Sequence, residues 1–195
     1  MNNYKTIKTT HFISLSHIKH DISNNIISIK HIIRDKGFNI KTNSCSSNIM
    51  LFIISGKIKI CLNEKHEYIS NSDTIIFIPR NSNFDITYIE RSEVVTTTFQ
   101  AIKQTYSKKL FQMLAVSNVP EKGKQIKSTF PALHFNNIIR EYLNDVRKFI
   151  TNPINKGCKC EVFEDDFFIV FGVYYEKEDL MRLFFPILDN PQLIK

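Results

Sequence analysis

From Leu51 to Tyr88 the chain alternates short apolar runs with polar breaks, the pattern of a strand meander. Gly56 ends one apolar run and opens an alternating one, in which Ile58, Ile60 and Leu62 fall on one face of a strand and Lys57, Lys59 and Cys61 on the other. Asn63 to His66 fits a hairpin loop, and Glu67 to Ser70 a short return strand. Asn71, Ser72 and Asp73 are turn residues. Thr74 to Ile78 is nearly continuous apolar and stops at Pro79, which cannot donate to a ladder. Phe84, Ile86 and Tyr88 alternate again. Upstream, Ile22 to Ile33 reads as a strand, Arg34 to Gly37 as a hairpin turn and Phe38 to Thr42 as its return. Val94 to Ala101 is a last, β-branched strand. Short antiparallel strands at this spacing predict a small barrel or jelly roll over residues 1–103.

The period then changes. Gln104 to Val116 has helical spacing at Tyr106, Leu110, Met113 and Leu114, and residues 117–131 form a polar connector. His134 to Ile150 carries the strongest helical stripe: Phe135, Ile138, Ile139, Tyr142, Leu143, Val146, Phe149 and Ile150. Asn152 and Pro153 stop it. Lys159 to Tyr175 predicts a second helix and Glu176 to Leu188 a third, ended by Pro186 and Pro191. Residues 104–195 are therefore expected to form a helical layer packed on the barrel. The wide stripe of the first helix has two readings. It docks a second copy of the chain through Phe135, Ile138, Ile139, Tyr142, Leu143, Val146 and Phe149, or it packs on the barrel and the helix from Lys159.

Composition narrows function more by exclusion than by assignment. Sixteen Phe, seven Tyr and no Trp predict a bulky aromatic interior, and five Gly argue against a glycine-rich phosphate loop. The net charge of +7 is spread along the chain without a cationic block, so no DNA-binding stripe is read from it. Cys45, Cys61, Cys158 and Cys160 lack zinc-site spacing and read as free thiols, which suits a reducing cytoplasm. No export signal or membrane span is read; the longest apolar stretch is Phe167 to Val173.

At Gly56 to Ile60, Asp73 to Pro79 and Asn83 to Ile86 the chain resembles a cupin, a double-stranded β-helix (jelly-roll) barrel. Its C-terminal part resembles the segment after the barrel in AraC-type transcription regulators: an apolar helix (Phe163 to Phe171), the pair Tyr174 and Tyr175, an acidic start (Glu176 to Asp179), then Phe184, Phe185 and Pro186. The resemblance implies a cytoplasmic, ligand-sensing and dimerising domain, with DNA bound only through a helix-turn-helix half that does not lie before Lys195. A stand-alone small-molecule-binding cupin is the alternative, and a metal-dependent cupin enzyme a weaker one. Where cupin enzymes place metal ligands this sequence has Asn43, Cys45, Ile49 and Phe84, so neither a metal nor another cofactor is expected, and no catalytic residue is assigned. His11, His17, His20, His31, His66 and His134 are scattered. For an effector pocket inside the barrel the pattern offers Phe52, Ile54, Ile58, Ile60 and Phe77, with Arg80 at the rim for an acidic ligand. Sugar, fatty acid, bile salt or no ligand at all stay open.

Overall fold

The computed structural model describes residues 26–64, 66–99, 105–117, 130–155 and 160–188. The first half supplies β1 (Ile26–Arg34), β2 (Asn39–Thr42), β3 (Asn48–Ser55), β4 (Ile58–Leu62), β5 (His66–Ser70), β6 (Thr74–Ile78), β7 (Phe84–Tyr88) and β8 (Ser92–Phe99). The second half supplies α1 (Thr105–Ser117), β9 (Ala132–His134), α2 (Asn137–Thr151), β10 (Cys160–Phe163), α3 (Glu164–Tyr174) and α4 (Lys177–Leu188). One sheet has the order β10-β1-β8-β3-β6-β9 and the other β2-β7-β4-β5. Within these, β1-β8-β3-β6 facing β2-β7-β4-β5 is the strand order of a jelly roll, so the fold is a cupin-like double-stranded β-helix with added helices.

Two apolar cores share the larger sheet. Leu51, Ile53, Ile76, Ile78 and Val94 face the smaller sheet and meet Ile58, Ile60, Leu62, Phe84, Ile86 and Tyr88. On the opposite face, Met50, Phe52, Ile75, Phe77, Val95 and Phe99 meet Leu110, Phe111 and Leu114 of α1, Ile139, Leu143 and Val146 of α2, and the Phe-rich faces of α3 and α4. β6 is buried at every position because both of its faces are covered, which is why it reads as an unbroken apolar run. β4 has one wet face and keeps the alternation expected of it.

Local chemistry fixes the joints. Gly56 has φ 89°, and a Cβ there would lie 2.6 Å from Ser92 Cα, so the β3–β4 turn requires glycine on two counts. Asn136 caps α2, its Oδ1 accepting from the Ile139 N–H at 2.8 Å. The same side chain donates through Nδ2 to the Tyr174 carbonyl at 2.9 Å. The Tyr175 hydroxyl donates to the His134 carbonyl (3.0 Å) and accepts from the Asn136 N–H (3.2 Å). The Tyr174 and Tyr175 pair thus pins the end of α3 to the start of α2.

The helical segment departs from expectation in three places. Residues 160–163 are strand, not the first turn of a helix from 159, because Cys160 to Phe163 pair with Ile29 to Ile26 of β1. His134 belongs to β9, which pairs with β6, and α2 begins only at Asn137. Both strands result from long-range pairing that outweighs local propensity. Pro186 lies inside α4 instead of ending it; the buried side chains of Phe184, Ile187 and Leu188 hold that last turn against the core.

Candidate functional site

The space between the sheets is set by strand register. On the larger sheet's inner face, Ser28, Thr98, Ile49 and Ile78 form one cross-strand row, and Lys30, Thr96, Leu51 and Ile76 the next. A third row holds Ile32, Val94, Ile53 and Thr74. The facing sheet presents Ile40, Ile86, Ile60 and Tyr68 in one row, and Thr42, Phe84, Leu62 and His66 in another. The lining is apolar over β3, β4, β7 and, apart from Thr74, β6, while Thr42 and His66 sit at the edges on β2 and β5. It turns polar at β1 and β8, where Ser28, Thr96 and Thr98 are half-buried and Lys30 is exposed. An apolar floor that ends in hydroxyls and one ammonium suits a ligand with an apolar body and an anionic head.

The expected pocket residues divide between the two cores. Ile58 and Ile60 lie between the sheets. Phe52 and Phe77 lie on the other face of the larger sheet, in the helix-facing core, and Ile54 packs against that core too. This corrects their expected place inside the barrel. Both faces of β3 are buried, so apolarity could not reveal which parity points inward. Arg80 follows β6, half-buried, with its N–H donated to Asn48 Oδ1 at 3.0 Å; among the described residues its Nε has no hydrogen-bond partner. Sequence reasoning missed Ser28, Lys30, Thr96 and Thr98. The alternation of Ile27 and Ile29 with Ser28 and Lys30 was the signal available for them.

The stripe of α2 is turned inward. Ile139, Leu143 and Val146 are buried in the chain's own core, and Leu143 is 2% exposed. Phe135, Ile138, Tyr142 and Phe149 pack half-buried against the same core.

Charged contacts tie α2 to the barrel. Glu93 at the start of β8 accepts from His31 Nε2 of β1 at 2.8 Å and from Arg147 Nη1 of α2 at 3.2 and 3.4 Å. Burial pushes the Glu93 carboxyl upward, but the hydrogen bonds from His31 and then Arg147 prevail and hold it below the usual carboxylate range. Near the other end of the helix, Arg140 Nη2 lies 3.0 Å from Asp73 Oδ2 in the β5–β6 turn, and the Phe135 N–H donates to the Asp73 carbonyl at 2.9 Å. Burial pushes the Tyr175 hydroxyl up to about 12, so it serves as a neutral hydrogen-bonding post.

The positions of a cupin's metal ligands are filled otherwise. Asn43 is exposed, Cys45 is buried with its thiol donating to the Ser47 carbonyl, and Ile49 and Phe84 line the inter-sheet space. Among the described residues no three His, Cys, Asp or Glu side chains form a group able to hold a metal ion. His11, His17, His20 and Cys158 lie outside the described residues. No described helix is long and apolar enough to cross a membrane.

No protein-family model matches the chain, and no curated protein does. Among solved structures, ToxT from Vibrio cholerae aligns at 19% identity over 75% of this chain and 53% of that one, with a TM-score of 0.49. An RmlC-like cupin with a double-stranded β-helix fold from Methanocaldococcus jannaschii aligns at 18% identity over 49% of this chain and 93% of that one, TM-score 0.37. A conserved Streptococcus pyogenes protein of unknown function aligns at 18% identity over 53% of this chain and 98% of that one, TM-score 0.39. The chain spans about half the length of the ToxT structure that it matches.

Proposed function

We propose that this chain is the non-catalytic, ligand-sensing and dimerising part of an AraC-type transcription regulator, and that its ligand is an amphipathic anion held between the sheets. One observation carries the ligand reading: the centre of the inter-sheet lining is apolar, and its polar residues lie at the margins, Ser28, Lys30, Thr96 and Thr98 on β1 and β8 and Thr42, His66 and Thr74 at the other edges. A sugar would leave its hydroxyls unmatched over most of that surface, which is costly. A fatty-acid-like molecule places its chain on Leu51, Ile60 and Ile76 and its carboxylate at Lys30. What supports the regulator reading is the order of elements, with a barrel followed by a Phe-rich helical layer carrying the Tyr174 and Tyr175 pair. Dimerisation through α2 falls to the half-buried Ile138 and Tyr142 and the exposed residues beside them, because Leu143 is engaged within its own chain.

Thermal unfolding with dodecanoate, dodecanol and arabinose tests the ligand class. Dodecanoate should raise the midpoint with concentration and arabinose should not. Lys30→Met should remove the preference for dodecanoate over dodecanol. No shift with either long-chain compound defeats the ligand reading. Light scattering of the chain and of Ile138→Glu tests dimerisation; a monomeric mass for the unaltered chain counts against it. The coding frame past residue 195 tests the regulator role. A helix-turn-helix pair is expected there, and a stop codon favours the stand-alone binding protein.

A further inference from the structure

We propose that Glu93 is a latch through which occupancy of the inter-sheet space sets the order of the C-terminal half of α2. This inference rests on the ligand reading above. β1 and β8 each have one face toward the ligand space and one toward the helices. Consecutive residues point to opposite faces, so Lys30 lines the inner margin while His31 meets Glu93 outside. Likewise Val94 and Thr96 face inward, and Glu93 faces α2. His31 pairs in register with Val95, so its contact with Glu93 is a diagonal one across the outer face. Glu93 therefore joins three elements: β8, β1 through His31 and α2 through Arg147. Among the described residues those two are the charged groups that face it.

The rest of α2 is held by other means. Ile139 and Leu143 are in the core and Arg140 is fixed to Asp73, all in the helix's first half. Val146 is in the core; beyond it Lys148 and Thr151 are exposed, Phe149 and Ile150 pack half-buried against the core, and Arg147 adds the charged tether to the sheet. A molecule seated at Lys30 and Thr96 pushes apart side chains on the inner face of the larger sheet. Bending β1 and β8 that way draws side chains on the outer face together, which tightens the contacts of His31 and Arg147 with Glu93. The two states are thus a latched and an unlatched end of α2, and a ligand that favours the first shifts the population toward it.

Amide hydrogen exchange on the whole chain tests this. In Glu93→Gln and in Arg147→Gln, amides 147–151 should exchange about tenfold faster, with no further gain in the double variant and no change at 139–143. Unchanged exchange at 147–151, or an equal acceleration throughout the barrel and helices, overturns the latch. Saturating dodecanoate should slow exchange at 147–151 in the unaltered chain and not in Glu93→Gln. If dodecanoate binds and these amides do not slow, the latch fails alone. If it does not bind, the ligand reading fails, and the reporting role with it.

Discussion

Phe184→Ala removes the ring at which the helical layer and the barrel's larger sheet meet. Phe184 is 0% exposed, and its ring centroid lies 5.4 Å from Phe77 of β6, 4.8 Å from Phe111 of α1, 6.1 Å from Phe168 and 6.2 Å from Phe171 of α3. Truncating a fully buried phenylalanine costs about 3–5 kcal/mol, the transfer loss adding to the cavity left behind. For a chain of this size that lowers the midpoint of thermal unfolding by roughly 6–20 °C. The loss should be felt on both sides of the sheet. Met50, Phe52, Ile75 and Phe77 alternate along their strands with Leu51, Ile53, Ile76 and Ile78 of the inter-sheet core, so neither face can disorder without the other. Methyl resonances of Ile60, between the sheets, and of Leu183, in α4, report the two cores separately during urea titration. They should vanish together, at the same lowered urea concentration. The shared-core reasoning is refuted if Leu183 loses its native signal while Ile60 keeps the unaltered midpoint.

Other outcomes follow from single joints. Gly56→Ala should cost about 1–3 kcal/mol from its positive φ, with the clash against Ser92 in addition, read by chemical denaturation. Asn136→Ala should cost about 1–2 kcal/mol, because it removes both the cap on α2 and the bond to Tyr174. Asn136→Asp should recover the cap's share alone. Glu93 has a folded pKa below its unfolded value, so its stabilisation is complete above the unfolded pKa and fades as pH falls through the folded one. The stability gap between the unaltered chain and Glu93→Gln should therefore hold at neutral pH and shrink below about pH 4. A gap that widens on acidification contradicts the assignment.

Legibility in the sequence followed the wetting of each surface. β4 and β7 could be read residue by residue because solvent touches one face and leaves an alternation. β3 and β6 could be located but not oriented, since helices cover the face that water would otherwise mark. That is how Phe52 and Phe77 came to be expected inside the barrel. α2 announced a stripe, yet a stripe says only that something covers it; over Ile139, Leu143 and Val146 the cover is the chain's own core. β9 and β10 are three and four residues long and exist through pairing with β6 and β1, so no local pattern carried them. The alternation of Ile27 and Ile29 with Ser28 and Lys30 marked a polar face on β1, but its meeting with Thr96 and the Glu93 contacts were hidden, because they depend on register between strands distant in sequence.

The most direct test of the account is where an amphipathic anion sits. Intermolecular nuclear Overhauser contacts between dodecanoate and methyl-labelled protein should connect the alkyl chain with Leu51, Ile60 and Ile76, and Lys30→Met should weaken them. Contacts restricted to exposed helix residues such as Met113 and Val173, or none with the long-chain compound in excess, would contradict a ligand space between the sheets.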